Sequence, residues 1–385
     1  MNRYPELVKR DGVGLIGEST SPTNITTTYS YLNEVGVITN NAVYSYSPAL
    51  DQYQSKGLSA SPLITAKPVI ANTYSQVNCD SSITDSSIMG VVWEDSRGGV
   101  RCSVKDLVTD TFIQSDYLIS ATGIKPKVVA ASTFILFMWI EAGSPNSLKC
   151  IRYSTLSNSF ATEVVITNTI SSSYCYDAIQ SLNNVLIAIA TVAAAPDTVY
   201  ACYWNINSNA LGTGTDGLAI PISLGITNTS TAPTAISLAL NPSNTYFTCT
   251  VYNSSKEIYT KSFYSYITAI TSELKVSSAT TDAGYSLASC IDSLDNTYIF
   301  YSSYNTLHNS FQAKVISNIT TPSVSYNRSF FLQMGVASKA FYYSGNAYVL
   351  LGYNSTLQNT FFGVRDDGER GHETATVRHL DVEPL

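Results

Sequence analysis

Residues 235–263, AISLALNPSNTYFTCTVYNSSKEIYTKSF, contain the pattern that decides the fold of this chain. An apolar run from Ala235 to Leu240 precedes the string Asn244-Thr-Tyr246, and further runs cover Tyr246 to Tyr252 and Ile258 to Phe263. These runs largely alternate apolar and polar residues, which is the period of a half-buried β-strand. Asn, Pro and Ser between the runs favour tight turns. The stretch therefore predicts three consecutive antiparallel strands.

The same arrangement recurs along the chain. Asn296-Thr-Tyr298 and Asn346-Ala-Tyr348 repeat the string, and weaker copies start near Thr133 and Asn184. Aligned on their second strands, the units are 46, 51, 60, 52 and 50 residues apart, with the column Met89, Ile135, Leu186, Tyr246, Tyr298 and Tyr348. Several units add a fourth strand, such as Phe112 to Ile119. Four short strands repeated at this spacing are typical of β-propeller blades.

We therefore predict an all-β chain with six four-stranded β-propeller blades over residues 80–364. Residues 1–79 form a short N-terminal β segment, and their weaker strand signals between 27 and 75 fit either a seventh blade or a separate element. Residues 365–385 carry nine of the 49 charged residues and are interpreted as a charged tail or the start of a further domain. A β-solenoid is the structural alternative, although its repeats are shorter.

Composition excludes several classes of protein. Only 13% of the 385 residues are charged, while 44% are hydrophobic and 27 are tyrosine. Such a chain is neither a coiled coil nor a charged disordered tail. The net charge of −7 argues against a general nucleic-acid binder. No apolar run approaches the roughly 18 residues that a membrane-spanning helix needs.

The cysteines and the N-terminus predict synthesis in a reducing cytoplasm. The seven cysteines are dispersed without a CxxC pair, which favours buried free thiols over a disulfide framework. The first ten residues have no apolar segment, so no secretory signal is predicted.

Four carboxylates near strand ends are the candidates for glycosidase chemistry. Glu94, Asp95, Glu141 and Asp177 would place acids at the mouth of a propeller channel. Their spacing does not pair any two of them, and solvated turn carboxylates are the preferred interpretation.

Other motifs fall short of a site. His372 and His379 are seven residues apart and lack the HExxH spacing of a zinc helix, while His308 stands alone. The GxGxxG string Gly212–Gly217 precedes a short strand with Pro221 rather than a helix. The sialidase-like string Thr280–Gly284 occurs once, and the predicted propeller holds few arginines. We predict no catalytic residue, no cofactor site and no metal site.

Three tryptophans have two interpretations. Trp93 and Trp139 occupy the same position in successive blades, and Trp204 ends a third strand. Aromatic rings at such positions fill the space between blades or form a contact surface for a glycan or a protein. They are the candidate contact residues of the chain, with core packing as the preferred interpretation.

Several stretches resemble a known family. Gly90–Arg101 reads GVVWEDSRGGVR, Gly123–Val129 reads GIKPKVV, and Phe137–Glu141 reads FMWIE. This pattern is similar to the β-propeller part of the tail nozzle, or tail tubular, proteins of short-tailed phages. Val8–Gly12 resembles the N-terminal Lys-Arg-Pro-Gly segment of that family, with Asp11 in place of the proline. The resemblance covers about residues 8–364.

The resemblance implies a structural virion protein of the phage tail. Such proteins form a homo-oligomeric ring, typically of six copies, contact adaptor and fibre proteins, and extend the DNA ejection channel without catalysis. Members are usually longer, which implies that this chain is a fragment or a shortened form. The net charge of −7 fits a channel that DNA passes without specific binding. A glycan-binding propeller is the alternative function, and a propeller glycoside hydrolase is the second alternative.

Overall fold

A computed structural model of the protein describes strands between residues 25 and 57, most of residues 76–366 with short gaps, and residues 378–380. The described residues form thirty strands in seven antiparallel sheets and contain no helix. The predicted all-β class is confirmed. The chain divides into two compact units, Met1–Lys67 and Pro68–Leu385.

The first unit contains one four-stranded sheet in chain order. Its strands are β1 (Ile25–Tyr31), β2 (Glu34–Thr39), β3 (Val43–Ser47) and β4 (Gln52–Gly57). These strands lie where the sequence shows weaker strand signals, between residues 27 and 75. The sequence of β4, QYQSKG, lacks alternating apolar residues, so pairing with β3 rather than its own pattern identifies it as a strand.

The second unit contains six sheets, which we call blades 1 to 6. Each is an antiparallel meander numbered outward from its first strand. Blade 1 has β5 (Gln76–Ile83), β6 (Ile88–Asp95), β7 (Val100–Asp106) and β8 (Thr111–Ser120). Blade 2 has β9 (Gly123–Ala131), β10 (Phe134–Glu141), β11 (Ser147–Ser154) and a split fourth strand, β12 (Ser159–Phe160) and β13 (Val164–Thr167).

Blade 3 has β14 (Tyr176–Ser181), β15 (Asn184–Thr191), β16 (Thr198–Asn205) and a split fourth strand, β17 (Ala210–Leu211) and β18 (Ile222–Ser223). Blade 4 has β19 (Pro233–Leu240), β20 (Tyr246–Asn253), β21 (Ile258–Tyr264) and β22 (Leu274–Ser277). Blade 5 has β23 (Leu287–Ile291), β24 (Thr297–Tyr304), β25 (Asn309–Ser317) and β26 (Ser323–Phe330). Blade 6 has β27 (Val336–Tyr343), β28 (Asn346–Ser355), β29 (Gln358–Asp366) and β30 (Arg378–Leu380).

The six blades form a ring around their first strands. The first strands follow one another in the order β5, β9, β14, β19, β23 and β27. The ring closes where Lys339 of β27 reaches back to β5, with its Nζ 3.2 Å from Asp80 Oδ1 and donating to the carbonyl of Ser81. The second unit is therefore a six-bladed β-propeller, and the strands of residues 25–57 form a sheet of their own in the first unit.

The predicted boundaries of the propeller shift at both ends. The first blade begins at Gln76, four residues before the predicted start at residue 80. Strand β29 runs to Asp366, and Arg378–Leu380 pairs with it as the fourth strand of blade 6. The predicted boundary at residue 365 therefore falls inside the last blade, and the charged segment supplies its edge strand.

Successive blades bury their faces against each other. Along β10, Ile135, Phe137 and Trp139 pack in a core shared with blade 1, while Leu136 and Met138 pack in a core shared with blade 3. A strand buried on both faces explains why FILFMWIE is apolar at nearly every position. Full burial of each large side chain contributes about 1.5–3 kcal/mol.

Tight turns join the first and second strands of the blades. In blades 1 to 5, each of these turns holds one residue with a positive φ: Ser87, Ser132, Leu182, Asn244 and Asp295. Asn and Asp tolerate this left-handed conformation because their short polar side chains bond locally. Asp292, for example, accepts hydrogen bonds from the backbone N–H groups of Leu294 and Asn296, both at 2.8 Å. The turn signals in the sequence thus define this end of blades 1 to 5.

Candidate functional site

The axis of the propeller is lined by the first strands of the blades, and these strands bulge. The pairing of β5 with β6 shifts between Val77 and Asp80, and that of β27 with β28 shifts between Ala337 and Lys339. The pairing of β9 shifts at Lys125, whose φ is 48°. A bulge leaves backbone groups unpaired and redirects the following side chain. Asp80, Lys127 and Lys339 each follow such an irregularity.

These charged residues form a column of contacts from blade to blade. Lys127 Nζ lies 2.8 Å from Asp177 Oδ1, which joins blade 2 to blade 3. The second oxygen of Asp177 accepts the backbone N–H of Leu238 in blade 4 at 2.8 Å. Asp80 Oδ2 accepts the N–H of Val128 in blade 2 at 3.0 Å. With the Lys339–Asp80 pair, ionic side chains connect blades 6, 1, 2, 3 and 4.

Hydroxyl groups continue the column where the charges end. Ser237 Oγ of blade 4 and Ser289 Oγ of blade 5 are 2.9 Å apart. The six residues of this axial column are therefore Asp80, Lys127, Asp177, Ser237, Ser289 and Lys339. Two aspartates balance two lysines, so the excess negative charge of the chain is not located in this column.

Lys127 keeps its charge in this setting. Burial by itself lowers the pKa of Lys127, but attraction by Asp177 and Asp80 outweighs burial and raises the pKa above its ordinary value. The side chain remains 31% exposed, so it keeps contact with solvent. Lys127 is thus a permanent cation between two carboxylates.

Two further side chains hold the bulge at Lys125 in place. Glu94 Oε1 accepts the backbone N–H of Lys125 and also the Asn78 side-chain amide at 2.8 Å. From the other side, Tyr176 Oη donates to the carbonyl of Lys125 at 2.7 Å. Burial, reinforced by nearby carboxylates including Asp177, raises the pKa of Tyr176 well above its usual range. The phenol therefore stays protonated and serves as a hydrogen-bond donor.

The four predicted carboxylates separate into two groups. Asp177 belongs to the axial column and Glu94 holds the bulge at Lys125, whereas Asp95 and Glu141 lie at the ends of the second strands of blades 1 and 2. The sequence did not single out Asp80, Lys127 or Lys339. The available signal was a charged residue on an otherwise apolar inner strand, as in GIKPKVVAA.

Asp95 is the centre of an ion-pair cluster in blade 1. Arg97 donates to both of its oxygens at 2.7 Å, and Trp93 Nε1 donates to Oδ2 at 3.1 Å. Arg97 also donates to both oxygens of Asp116, at 3.0 and 2.8 Å. The hydrogen bonds from Arg97 hold the pKa of Asp95 well below its usual range, although burial acts in the opposite direction. Such a carboxylate remains ionised and cannot act as a general acid at neutral pH.

Glu141 repeats this arrangement in blade 2. Trp139 Nε1 donates to Glu141 Oε2 at 3.1 Å, and Ser120 Oγ donates to the same atom at 2.9 Å. Thr122 Oγ1 donates to the other oxygen, and Lys149 Nζ lies 3.8 Å away. In both blades the acid two residues after the tryptophan accepts its indole N–H. In this tryptophan-acid motif, the acid at the end of the second strand bonds both to the tryptophan of its own strand and to residues outside that strand.

The three tryptophans are buried in the propeller. Trp93 and Trp139 are 0% exposed and Trp204 is 1% exposed. Trp139 packs in the core between blades 1 and 2, and Trp204 packs in the core between blades 2 and 3. The hypothesis of a contact surface at these residues is corrected, because no ring face is open to a ligand. Their preferred interpretation as core residues is the one that the structure shows.

An exposed aromatic row occurs instead on blade 4. The rings of Tyr264 and Tyr266 stack with centroids 5.1 Å apart and planes 3° apart, and Tyr246 lies 5.6 Å from Tyr264. Tyr266 is 59% exposed. Little in the sequence indicates this row, because the chain is rich in tyrosine throughout.

The cysteines are free thiols, of which six are buried and Cys79 is exposed. Burial raises the pKa of Cys175 and Cys202 to about 12. Among the described residues, no group of three or more His, Cys, Asp or Glu side chains is placed to hold a metal ion. Side chains at His308, His372 and His379 lie outside the described residues, as do the strings Gly212–Gly217 and Thr280–Gly284.

Within the described part of the chain, no helix has the length and apolar character needed to span a membrane.

The chain has only distant likenesses among known proteins. No protein family and no curated protein matches the chain. The SapL1 lectin in complex with α-methyl fucoside is 12% identical, with a TM-score of 0.48 over 81% of this chain and 99% of the lectin chain. The β-propeller domain of the Trilobed protease from Pyrococcus furiosus is 8% identical, with a TM-score of 0.45 over 89% and 93% of the two chains.

The Trypanosoma rangeli sialidase in complex with the inhibitor DANA is 9% identical, with a TM-score of 0.44. The alignment covers 82% of this chain and 56% of the sialidase. At these identities and TM-scores, all three likenesses are distant.

Proposed function

We propose that this chain is a non-catalytic structural protein of a phage tail, which assembles with copies of itself and with other tail proteins. The observation that carries the structural role is the use of the axial polar groups. Asp80, Asp177, Lys127 and Lys339 each bond to a neighbouring blade. Residues that hold the ring together in this way serve rigidity, which a tail component under the load of DNA ejection requires.

The candidate acids support the same role. Glu94 accepts two donors, Asp95 is paired with Arg97, and Glu141 accepts the indole N–H of Trp139 and two hydroxyls. A glycoside hydrolase needs one carboxyl group that is protonated at working pH and a second that faces the substrate. The carboxylates of Glu94, Asp95 and Glu141 already accept hydrogen bonds from groups of the protein itself. They are therefore poorly suited to donate a proton to a substrate or to face one.

The virion assignment rests on the sequence resemblance. The stretches that carry it form the second and third strands of blade 1 and the first two strands of blade 2, where the tryptophan-acid motifs and the Lys125 bulge occur. The axis of each propeller is occupied by the pairs Lys127–Asp177 and Lys339–Asp80. In a ring of copies, the lumen for DNA would therefore lie between the subunits and not along the axis of one propeller.

Mass photometry of the purified full-length chain tests self-assembly. We expect discrete oligomers, with a ring of about six copies in negative-stain images. Duplex DNA at 20 mM salt is the second arm, in which we expect no tight binding. A chain that stays monomeric at all concentrations, or that binds duplex DNA tightly, contradicts the proposal.

A glycan-binding protein is the second candidate function, and the tyrosine row on blade 4 favours it. Tyr266 is held by stacking on Tyr264, so one ring face is presented without loss of side-chain freedom on binding. Ser243 and Thr245 beside Tyr246 bond to each other at 2.8 Å and offer neutral polar groups of the kind that sugars bind.

Saturation-transfer NMR with a panel of methyl glycosides tests this candidate. Signals that disappear in Tyr266→Ala and persist in Tyr266→Phe would support a sugar-stacking ring. The exposed Tyr117, which stacks on Phe160 in another region, provides the matched control Tyr117→Ala. Absence of transfer to any glycoside would remove this candidate.

A further inference from the structure

The first and last blades of the propeller meet without a shared sheet. Each blade is built from strands that are consecutive in the chain, so β5 to β8 form blade 1 and β27 to β30 form blade 6. The chain itself connects the other five pairs of neighbouring blades, whereas blades 6 and 1 exchange no strand among those described. We call this junction the seam. At the seam, the ring can part without breaking a sheet or straining a connecting segment.

The inner strands on the two sides of the seam are accessible to water. None of the described residues 78–83 of β5 is buried. The residues of β27 whose side chains are described are half-buried, namely Lys339, Ala340 and Tyr342. By contrast, all five residues of β23 in blade 5 are buried, as are four of the six residues of β14 in blade 3. The inner strands at the seam are therefore less protected from water than those of blades 3 and 5.

The face of blade 1 that is turned toward the seam is partly polar. The apolar residues of β7 pack in the core shared with blade 2: Val100, Cys102 and Val104. Successive residues of a strand point to opposite sides of the sheet, so Arg101, Ser103 and Lys105 lie on the other face. Since blade 1 lies between blades 6 and 2 in the ring, this second face is the one turned toward blade 6. Ser103 and Lys105 are buried there.

The cations on this face have acid partners within blade 1. Arg101 Nη1 lies 3.4 Å from Asp116 Oδ1, and Lys105 Nζ lies 2.7 Å from Asp110 Oδ1. Parting of the seam separates neither pair, so both cations keep these partners when the face meets water. Parting of blades 1 and 2 would instead expose an apolar core to water, and the free-energy cost rises with the apolar area exposed. The ring should therefore open more readily at the seam than between blades 1 and 2.

The described polar contacts across the seam come from Lys339. Its Nζ lies 3.2 Å from Asp80 Oδ1 and donates to the carbonyl of Ser81. The side chain of Lys339 is 43% exposed and that of Asp80 is 16% exposed. An ion pair in contact with water contributes little to stability, and salt weakens it further. Lys339 thus holds the seam through contacts that depend on ionic strength.

We propose that the propeller switches between a closed ring and an open ring that is parted at the seam, while all six blades stay folded. Apolar cores hold together the four junctions between blades 1 and 5, so opening is confined to the seam. In the open ring, solvent reaches the axial column from the side. This switch is independent of the virion role and can hold if that role fails.

Thiol labelling of the full-length variant Ser103→Cys tests the switch. Ser103 and the native Cys102 beside it are both 0% exposed, but Ser103 lies on the seam face and Cys102 on the face packed against blade 2. The two thiols are therefore matched in strand and burial and differ in the junction that covers them. Buried Cys202 in blade 3 reports global unfolding, and exposed Cys79 reports a thiol that is always accessible.

The chain is labelled with iodoacetamide at pH 8, and tandem mass spectrometry of its peptides gives a rate for each thiol. Each rate is divided by the rate of the same thiol in the urea-unfolded chain, which removes differences in intrinsic reactivity. We expect the introduced thiol to react at least about tenfold faster than Cys102 and Cys202, and more slowly than Cys79.

Substitutions of Lys339 connect this rate to the seam. Lys339→Met should raise the rate of the introduced thiol about two- to fivefold, and an increase from about 50 to 500 mM salt should act in the same direction. Lys339→Arg keeps the charge and should leave the rate unchanged. The matched control is Lys261→Met, which removes a lysine that donates to the carbonyl of Leu224 at 3.0 Å between blades 4 and 3 and should not alter the rate.

Three outcomes would overturn the proposal. Equal rates for the introduced thiol, Cys102 and Cys202 would mean that the seam face becomes accessible only on unfolding. A rate as high as that of Cys79 would mean that this face is permanently open. Equal effects of Lys339→Met and Lys261→Met would mean that opening does not occur at the seam.

A second variant keeps the test valid if Ser103→Cys does not fold, which urea unfolding checks. Val91 pairs with Ser103 across β6 and β7, lies on the same face and is 3% exposed. Val91→Cys should therefore show the same labelling rates and the same response to Lys339→Met, and the same three outcomes would overturn the proposal.

Discussion

The contact between Lys127 and Asp177 provides the sharpest test of the axial column. Replacing Asp177 by alanine removes the oxygen that lies 2.8 Å from Lys127 Nζ and the one that accepts the Leu238 N–H at 2.8 Å. A hydrogen bond to a charged group contributes about 1.5–3 kcal/mol, and an unsatisfied buried donor costs about 1–3 kcal/mol. Lys127 is 31% exposed and keeps the attraction of Asp80, so water and Asp80 offset part of the loss.

We therefore expect Asp177→Ala to lower the free energy of unfolding by about 2–4 kcal/mol. Asp177→Asn keeps an acceptor for Leu238 and should cost about half as much. Over the roughly 300 residues of the propeller unit, with an unfolding entropy of about 2.1 cal/mol/K per residue, the alanine variant should melt about 3–6 °C lower.

Tryptophan fluorescence during urea unfolding reports on this unit, since all three tryptophans of the chain lie in blades 1 to 3. The matched control is Asp85→Ala, which removes an exposed aspartate with no described bond and should change stability by less than about 0.5 kcal/mol. A double-mutant cycle with Lys127→Met should show a coupling of about 1 kcal/mol or more. Equal effects of Asp177→Ala and the control would refute the structural role of the column.

Three further outcomes are expected. Since Arg97 lowers the folded-state pKa of Asp95, this residue stabilises the fold fully above about pH 4 and loses its contribution as the pH falls, so Asp95→Asn should flatten the acid limb of a stability profile. Gly99→Ala should cost at least about 2 kcal/mol more than Gly98→Ala, because only at Gly99 does a Cβ meet a carbonyl oxygen, at 2.1 Å; equal urea midpoints would contradict this. In thiol labelling at pH 8, Cys79 should react first and buried Cys202, with a pKa of about 12, only on unfolding; rapid labelling of Cys202 in the native chain would show that its blade opens.

The strand pattern was readable because it follows from local physics. Alternating residues and turn signals placed two strands of blade 4 at Tyr246 to Tyr252 and Ile258 to Phe263, close to their observed positions. They also placed the fourth strand of blade 1 at Phe112 to Ile119, within the observed Thr111–Ser120. Segments without that alternation were missed. The edge strand Arg378–Leu380 is charged and short, and pairing with β29 alone defines it.

The contacts of the axial column could not be predicted from the sequence, since they depend on which strands lie side by side in the folded chain. Asp80 and Lys339 are 259 residues apart, and Lys127 and Asp177 are 50 apart. Nothing in their local sequence pairs them. Only ring closure brings the first and last blades together, and only the bulges before Asp80, Lys127 and Lys339 direct these side chains into the column.

By itself, the amino-acid sequence determined an all-β chain of repeated four-stranded units, because strand period and turn chemistry act over a few residues. The tertiary structure decided the closure at six blades and the burial of Trp93, Trp139 and Trp204. These features depend on contacts between residues that are distant in the chain, and periodicity along the chain does not encode such contacts.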